Sequence, residues 1–277
     1  MDGYKGSGKG KKPLGSAAHS SAQSTQVTDQ LNPITELDEQ NTSFALPFLQ
    51  HQDSLESHIE QALMKKATLQ SNKMPLARHR IQPEYRTKMV DWLVEVTTAF
   101  KASDRTYHLA VRLFDDYLRT TPQALENANV HLVGLSALHL ASKYEDLQPL
   151  SSRLIAERIS HGAHSRQDLM RMQDRMLCTL EFDLDRVTPF DIFEASCKNL
   201  TLSPRVAELA HFLICMSLQN VTICQMPPQH LPIVCMLAAS LMAHLESETT
   251  KLWKYYGRLF ESRSQASGAI LKVTGFY

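Results

Sequence analysis

From Pro83 onward, apolar residues recur at positions i, i+3, i+4 and i+7 through successive stretches of roughly 10 to 18 residues. Few alternating β-branched runs interrupt them, so the pattern predicts helices rather than strands. Leu55, Ile59 and Leu63 predict one further helix before a polar break at residues 70–73. We therefore predict an all-α fold.

Residues 1–52 have no such periodicity. Five of the ten glycines fall within the first 15 positions, and a stretch rich in Ser, Gln, Thr and Asn follows. Segments of this composition do not bury enough apolar surface to fold. We predict a disordered tail over residues 1–52, then a helix and linker over 53–84.

Helix starts carry recognisable signals. A Ser or Thr can cap the first turn, an acid three residues later can complete a capping box, and proline suits the first helical position. Each Ser/Thr-Pro pair would also fit a site for a proline-directed kinase, but a helix start explains the pairs below better. Three predicted starts are Ser165 with Asp168, Thr188 with Pro189 and Asp191, and Ser203 with Pro204.

Two apolar helices resemble each other and begin about 100 residues apart, at His131 and His230. Both are rich in Gly, Ala and Ser at mid-helix, which lets neighbouring helices approach closely. A central helix that occurs twice predicts two similar bundles in tandem, over residues 85–186 and 187–277.

Composition narrows the function. Lys plus Arg and Asp plus Glu both number 29, so no basic excess points to nucleic acid or a membrane surface. No apolar run approaches the roughly 18 to 20 residues of a membrane span. Cysteines without a CxxC pair predict buried thiols in the reducing interior of the cell. The five are Cys178, Cys197, Cys215, Cys224 and Cys235.

Enzyme motifs are incomplete. Gly3-x4-Gly8-Lys9 falls short of a phosphate-binding loop, because Gly10 stands where Ser or Thr should bind magnesium. The HxxH at residues 161–164 has no carboxylate or cysteine at ligand spacing. We expect no catalytic residue, cofactor or metal of the protein's own.

Four segments in order, YRTKMVDWLVEV, LAVRLFDDYL, LVGLSALHLASKYED and LEFDL, resemble the landmarks of the cyclin box. The resemblance is strongest to mitotic A-type and B-type cyclins, and SKYED and ICMSLQ favour B. It extends from about residue 55 to the end of the chain. It implies two tandem five-helix bundles after a short N-terminal helix, and a non-catalytic subunit, in the nucleus and cytoplasm, that activates a cyclin-dependent kinase in cell-cycle control.

The resemblance also implies a kinase-binding surface. Lys143 matches a lysine that reaches the kinase's mobile helix, and Gln173 stands where an acid usually partners that lysine. Replacing a charged hydrogen bond by a neutral one predicts a loss of about 1 kcal/mol. The matching positions are Lys143, Tyr144, Glu145, Gln173, Phe182 and Ile59.

A second implied surface docks substrates or inhibitors that carry an Arg-x-Leu sequence. Lys88 stands where an apolar residue is usual, and its charge opposes the ligand's arginine. Arg86 and Asp115 match an ion pair that ties two helices together. The docking positions are Tyr85, Met89, Trp92, Glu95, Val130 and His131.

An alternative stays open. The same fold could serve as a scaffold, or as a transcription-associated binding module, without activating a kinase. Nucleic-acid binding would need a basic stripe, and the neutral charge counts against it.

Overall fold

The computed structural model describes residues 42–71, 73 and 76–275. The incomplete phosphate loop and most of the predicted tail lie outside these residues. Helix α1 spans Thr42–Thr68, so it begins well before the predicted start at residue 53.

Ten further helices form two sets of five, joined by residues 180–188, where the predicted boundary at 186 lies. The described residues contain no β-strand, and Arg80 and Glu126 form an isolated bridge. The all-α prediction is confirmed. The first set is α2 Pro83–Ala99, α3 Asp104–Thr120, α4 Asn127–Glu145, α5 Ser152–Leu154, which continues as a π-helical turn at Ile155–Ile159, and α6 Arg166–Thr179. The second set is α7 Pro189–Leu200, α8 Pro204–Gln219, α9 His230–Met242, α10 Glu246–Tyr256 and α11 Arg263–Thr274.

The predicted helix starts are present. Ser165 accepts a hydrogen bond from the Asp168 amide over 3.1 Å, and the Asp168 side chain accepts one from the Ser165 amide. Thr188 and Asp191 form the same capping box. Ser203 takes the N-cap position of α8, without a capping bond from its side chain.

Helices α4 and α9 are the central helices of the two sets. Residues 133–142 of α4 and 231–240 of α9 are buried without interruption. Helix α4 packs against α2, α3 and α6, and α9 against α7, α8, α10 and α11. A Cβ added at Gly134 would lie 2.2 Å from Cε of Met89. The small residues therefore allow the close approach that the sequence predicts.

Arg86, which is fully buried, joins three helices. It donates two hydrogen bonds to Asp115 of α3, over 2.9 and 2.6 Å. It also donates to the backbone oxygens of Leu218 and Gln219 at the end of α8. These carbonyls have no partner within their own helix, so Arg86 also caps α8.

Glu60 attaches α1 to the second set of helices. Its carboxylate is 1% exposed and accepts hydrogen bonds from Ser196 over 2.7 Å, from Asn199 over 2.6 Å and from the Tyr256 hydroxyl. Lys66 forms an ion pair with Asp185, beyond the end of α6. Both Glu60 and Lys66 therefore hold α1 against the rest of the chain.

The cysteines are all free thiols. Cys224 and Cys235 are buried, and Cys197 and Cys215 are partly buried. Cys178 is exposed, so the prediction of five buried thiols is wrong at this position, which lies on the solvent side of α6. No helix among the described residues is long and apolar enough to cross a membrane.

Candidate protein-binding site

Lys143 lies on the last turn of α4 and extends over α6. Its Nζ donates a hydrogen bond to Oε1 of Gln173 over 3.0 Å. Gln173 is 1% exposed, so it lies beneath the lysine and supports it instead of forming part of the surface. Asp174, the next residue, is exposed and is not the partner of Lys143.

His139 completes this arrangement from one turn earlier on α4. A lysine can only donate, so the Gln173 oxygen faces Lys143 and the amide nitrogen faces Nδ1 of His139. Burial, with the charge of Lys143 adding to it, lowers the pKa of His139 to about 4. The imidazole is therefore neutral at pH 7, and its Nδ1 accepts the amide hydrogen bond. Sequence reasoning missed His139, although a histidine four residues before the lysine shares its helix face.

Two further matched positions follow Lys143 at the end of α4. The Tyr144 side chain is 53% exposed. Glu145 is partly buried; burial raises its pKa, and the nearby charge of Arg105 opposes this shift. Arg105 in turn forms ion pairs with Asp191 and Glu194 of α7. Glu145 therefore lies close to a charged junction between the two helical sets.

Phe182 extends into solvent from a tight turn after α6. Both Glu181 and Phe182 adopt left-handed backbone conformations, with φ of 54° and 57°. The Phe182 amide donates to the Leu177 carbonyl over 2.8 Å, which closes the turn. The aromatic side chain is nevertheless 69% exposed. A strained, exposed aromatic residue is a common sign of a binding surface.

Helix α1 presents two exposed apolar side chains on one face. Ile59 is 43% exposed, and Leu55, one turn earlier, is 56% exposed. Sequence reasoning included Ile59 but not Leu55, which the i, i+4 spacing could have suggested. Because Lys66 binds Asp185, three residues after Phe182, α1 runs close to the Phe182 turn. We call Leu55, Ile59, Lys143, Tyr144 and Phe182 the mixed surface.

The positions matched to a docking patch divide into exposed and buried residues. Tyr85 and Glu95 are exposed, and the Trp92 and His131 rings meet edge to face with centroids 5.1 Å apart. Met89 and Val130 are 5% and 4% exposed, so they support the patch from below. Their burial corrects the prediction that they belong to its surface, since Met89 packs against the α4 backbone at Gly134.

A groove continues from this patch. Trp92 and Glu95 line it on α2, and Arg158 lines it on the π-helical turn after α5. Lys88 lines a different depression, beside Gln219. Lys88 thus does not line the groove that Trp92 and Glu95 share, although it lies one turn before Trp92 on the same face of α2.

The HxxH histidines do not converge. Nε2 of His164 lies 3.1 Å from Nδ1 of His131, and His161 lines the groove next to Trp92. His164 thus lies beside His131, at the edge of the positions matched to the docking patch.

Comparison with solved structures defines the class of this fold. A viral cyclin from herpesvirus saimiri aligns with a TM-score of 0.65 at 17% identity, over 78% of this chain and 94% of that chain. A chain of the yeast RNA Pol II CTD kinase CTDK-1 complex aligns with a TM-score of 0.55 at 14% identity, over 78% and 71%. The described helices thus form a cyclin fold.

Sequence comparison points to the same class. The family profile described as the cyclin N-terminal domain matches residues 55–185. This match and the relatives below show that this part of the chain is similar to cyclins.

The relatives are named as B-type cyclins or as G2/mitotic-specific cyclins. Cyclin-B2-2 of Arabidopsis thaliana is 30% identical over 184 residues, which is 66% of this chain and 42% of the relative. G2/mitotic-specific cyclin-B3 of Gallus gallus is 31% identical over 179 residues, or 64% and 43%. G2/mitotic-specific cyclin S13-7 of Glycine max is 29% identical over 205 residues, or 71% and 76%. The chain spans less than half of the length of the first two.

Proposed function

We propose that this protein is a regulatory subunit that binds and activates a cyclin-dependent protein kinase in cell-cycle control, in the nucleus and cytoplasm. It would contribute no catalytic residue, because ATP and magnesium would bind to the kinase. The observation that carries the proposal is the mixed surface, to which the end of α4 contributes a supported lysine and an exposed tyrosine, and α1 and the turn after α6 contribute exposed apolar side chains.

The chemistry of the mixed surface suits a helix of the partner. Leu55, Ile59, Tyr144 and Phe182 offer apolar area that a stable interface would remove from water. Lys143 offers N–H donors that suit the carbonyl oxygens at a helix C-terminus or a carboxylate. Gln173 orders the lysine before binding, which reduces the entropy lost when the complex forms.

Activation would follow from differential binding. A kinase whose mobile helix samples active and inactive positions shifts towards the position that the cyclin binds more tightly. The neutral partner of Lys143 costs about 1 kcal/mol against a charged one, which is less than tenfold in affinity. A large interface tolerates a loss of this size.

The test is to mix the purified protein with cyclin-dependent kinases and to measure both binding and phosphorylation of a histone substrate. We expect activation, and we expect Lys143→Glu and Phe182→Ala to reduce affinity at least tenfold. Matched controls on the second helical set, Lys272→Glu and Leu271→Ala, should leave both readouts unchanged, because both residues are exposed on α11. Binding without activation would favour the scaffold, and no binding to any kinase would overturn the proposal.

We further propose that Tyr85, Trp92, Glu95 and His131 dock substrates or inhibitors with an Arg-x-Leu sequence. Exposed aromatic area would hold the leucine, and Glu95 would pair with the arginine. Docking in the groove at a distance from the kinase would raise the local substrate concentration.

A further inference from the structure

Three side chains that can bind a metal ion meet between α3 and α8, away from both proposed binding surfaces. Nε2 of His108 lies 3.3 Å from Nε2 of His211 and 3.9 Å from Sγ of Cys215. All three atoms lie within 4.8 Å of one another, and this is the one such group of three or more found in the described part of the chain. His211 and Cys215 are four residues apart on α8, so both side chains occupy the same helix face.

These distances are close to those of a tetrahedral zinc site. With Zn–N bonds of about 2.0–2.1 Å, two imidazole nitrogens at the tetrahedral angle lie about 3.3 Å apart. With a Zn–S bond of about 2.3 Å, the expected N···S distance is about 3.6 Å. The His108–His211 distance already fits. The Cys215 sulfur lies 3.9 Å from Nε2 of His108, a few tenths of an ångström beyond the expected N···S distance, and all three atoms lie within 4.8 Å of one another.

Aromatic packing fixes the orientation of both imidazoles. The rings of His108 and Phe190 stack with centroids 5.0 Å apart, and those of His211 and Phe193 stack at 5.9 Å. Stacked rings cannot turn freely, so the packing keeps the two Nε2 atoms close together. Rigid neighbours of this kind pre-organise a metal site.

The two imidazoles face each other through their Nε2 atoms. A hydrogen bond between two neutral rings needs one Nε2 to donate and the other to accept, whereas a cation between them would be bound by both. Nδ1 of His108 is buried and has no partner among the described residues in either case. A metal ion would let both Nε2 atoms act as ligands, with the proton of each ring on Nδ1.

The group can be reached from solvent. His211 and Cys215 are only partly buried, whereas His108 is 1% exposed. Asp104, one turn before His108 on α3, is exposed, and its charge acts on both His211 and Cys215. A carboxylate at the entrance would attract a cation and could supply the fourth ligand, or a water could.

We propose that His108, His211 and Cys215 bind one Zn²⁺ ion and thereby join α3 of the first helical set to α8 of the second. Two imidazoles and a thiol favour zinc over magnesium or calcium, which prefer oxygen ligands. On binding, the thiol proton passes to solvent, a Zn–thiolate bond forms, and nothing is oxidised or reduced. Because the ion binds the folded protein, it stabilises the packing of the two helical sets by mass action. The site does not depend on kinase binding.

The test uses the full-length protein, freed of metal, and titrates it with Co²⁺ and Zn²⁺. Cobalt bound to a thiolate gives near-ultraviolet charge-transfer absorption, so we expect one equivalent of Co²⁺ to produce such a band and Zn²⁺ to remove it. Cys215→Ala should abolish the band, and His211→Ala should weaken binding at least about tenfold. Neither side chain is fully buried, so both variants should fold, as circular dichroism can check.

Control variants separate this site from the other thiols and histidines. Cys178→Ala and the pair His161→Ala with His164→Ala should bind cobalt as the unmodified protein does. Zinc should raise the thermal unfolding temperature of the unmodified protein but not of Cys215→Ala. The proposal is overturned if no stoichiometric ion binds, or if binding persists in Cys215→Ala and is lost when the HxxH histidines are removed.

Discussion

Lys143 and Gln173 form a 3.0 Å hydrogen bond that orients the Gln173 amide between a lysine and a buried histidine. The amide oxygen accepts a hydrogen bond from Lys143, and the amide nitrogen donates one to His139. Gln173 therefore has two partners. Because the Gln173 amide is uncharged, it suits the uncharged imidazole of His139 as a hydrogen-bond partner.

Exchanging this amide for an acid should change the titration of His139. In Gln173→Glu, a carboxylate faces Nδ1 of His139 and accepts a hydrogen bond from the protonated ring. It therefore stabilises the imidazolium, and the pKa of His139 should rise above its value of about 4. Titration followed by NMR of the imidazole nitrogens measures this shift. Asp174→Asn changes an exposed neighbour and should leave the pKa of His139 unchanged. An unshifted pKa in Gln173→Glu would mean that residue 173 does not contact His139.

His139 should also make the fold less stable in acid. Its pKa is about 4 in the folded protein and 6.5 as the ordinary value, so the unfolded chain binds more protons between these limits. Stability from this group is therefore complete above about pH 6.5 and lost as the pH falls towards 4, by up to about 3 kcal/mol. His139→Asn keeps an acceptor near Nδ1 but cannot titrate. Urea unfolding across this range should give a shallower pH dependence for the variant; equal slopes would contradict the assignment.

Arg86 should be among the most costly residues to remove. Arg86→Ala leaves a largely buried Asp115 unpaired and frees the last carbonyls of α8, and breaking a buried pair costs about 3–5 kcal/mol. The exposed pair of Arg80 and Glu126 gives a matched control, because Arg80→Ala should cost less than about 1 kcal/mol. Denaturant unfolding of both variants measures the two losses in the free energy of unfolding. Losses of similar size would show that burial of the ion pair does not determine the cost of breaking it.

Glu60 should control the opening of α1. Glu60→Ala removes the carboxylate that accepts from Ser196, Asn199 and Tyr256, and losing a charged hydrogen bond costs about 1.5–3 kcal/mol. Hydrogen exchange over residues 55–68 should then speed up by roughly 10- to 100-fold. Gln61→Ala removes only a bond to Ser57 within α1 and should have little effect. Unchanged exchange in Glu60→Ala would show that other contacts hold the helix.

Local signals explain why much of the fold was predictable. Helix starts such as Ser165 and Thr188 depend on residues three positions away, and the central helices follow from periodicity alone. The burial of Met89 and Val130 was not predictable, because periodicity assigns a helix face without showing which neighbour covers it. Ten helices can pack in many ways that share one hydrophobic pattern.

The long-range polar contacts were not predictable from the sequence either. Glu60 and Tyr256 are 196 residues apart in sequence, and His108 and His211 are 103 apart. No local spacing indicates such partners, and only the packing of α1 and α8 brings them together. Lys143 and Gln173 could be paired for a different reason, because the resemblance to the cyclin box implies that the side chains at these two positions are partners, and the two do form a hydrogen bond.

Trp92 should distinguish docking from kinase activation. Trp92→Ala removes the ring that meets His131 at the patch, so a kinase complex of this variant should phosphorylate Arg-x-Leu substrates less, with little change for short peptides. Tyr144→Ala, on the mixed surface, is the complementary control and should reduce phosphorylation of both substrates alike. Steady-state kinetics measures, for each variant, the rate with the Arg-x-Leu substrate relative to the rate with the short peptide. Equal losses for both substrates in Trp92→Ala would indicate damage to the fold or no docking role, because a docking contact affects only substrates long enough to reach it.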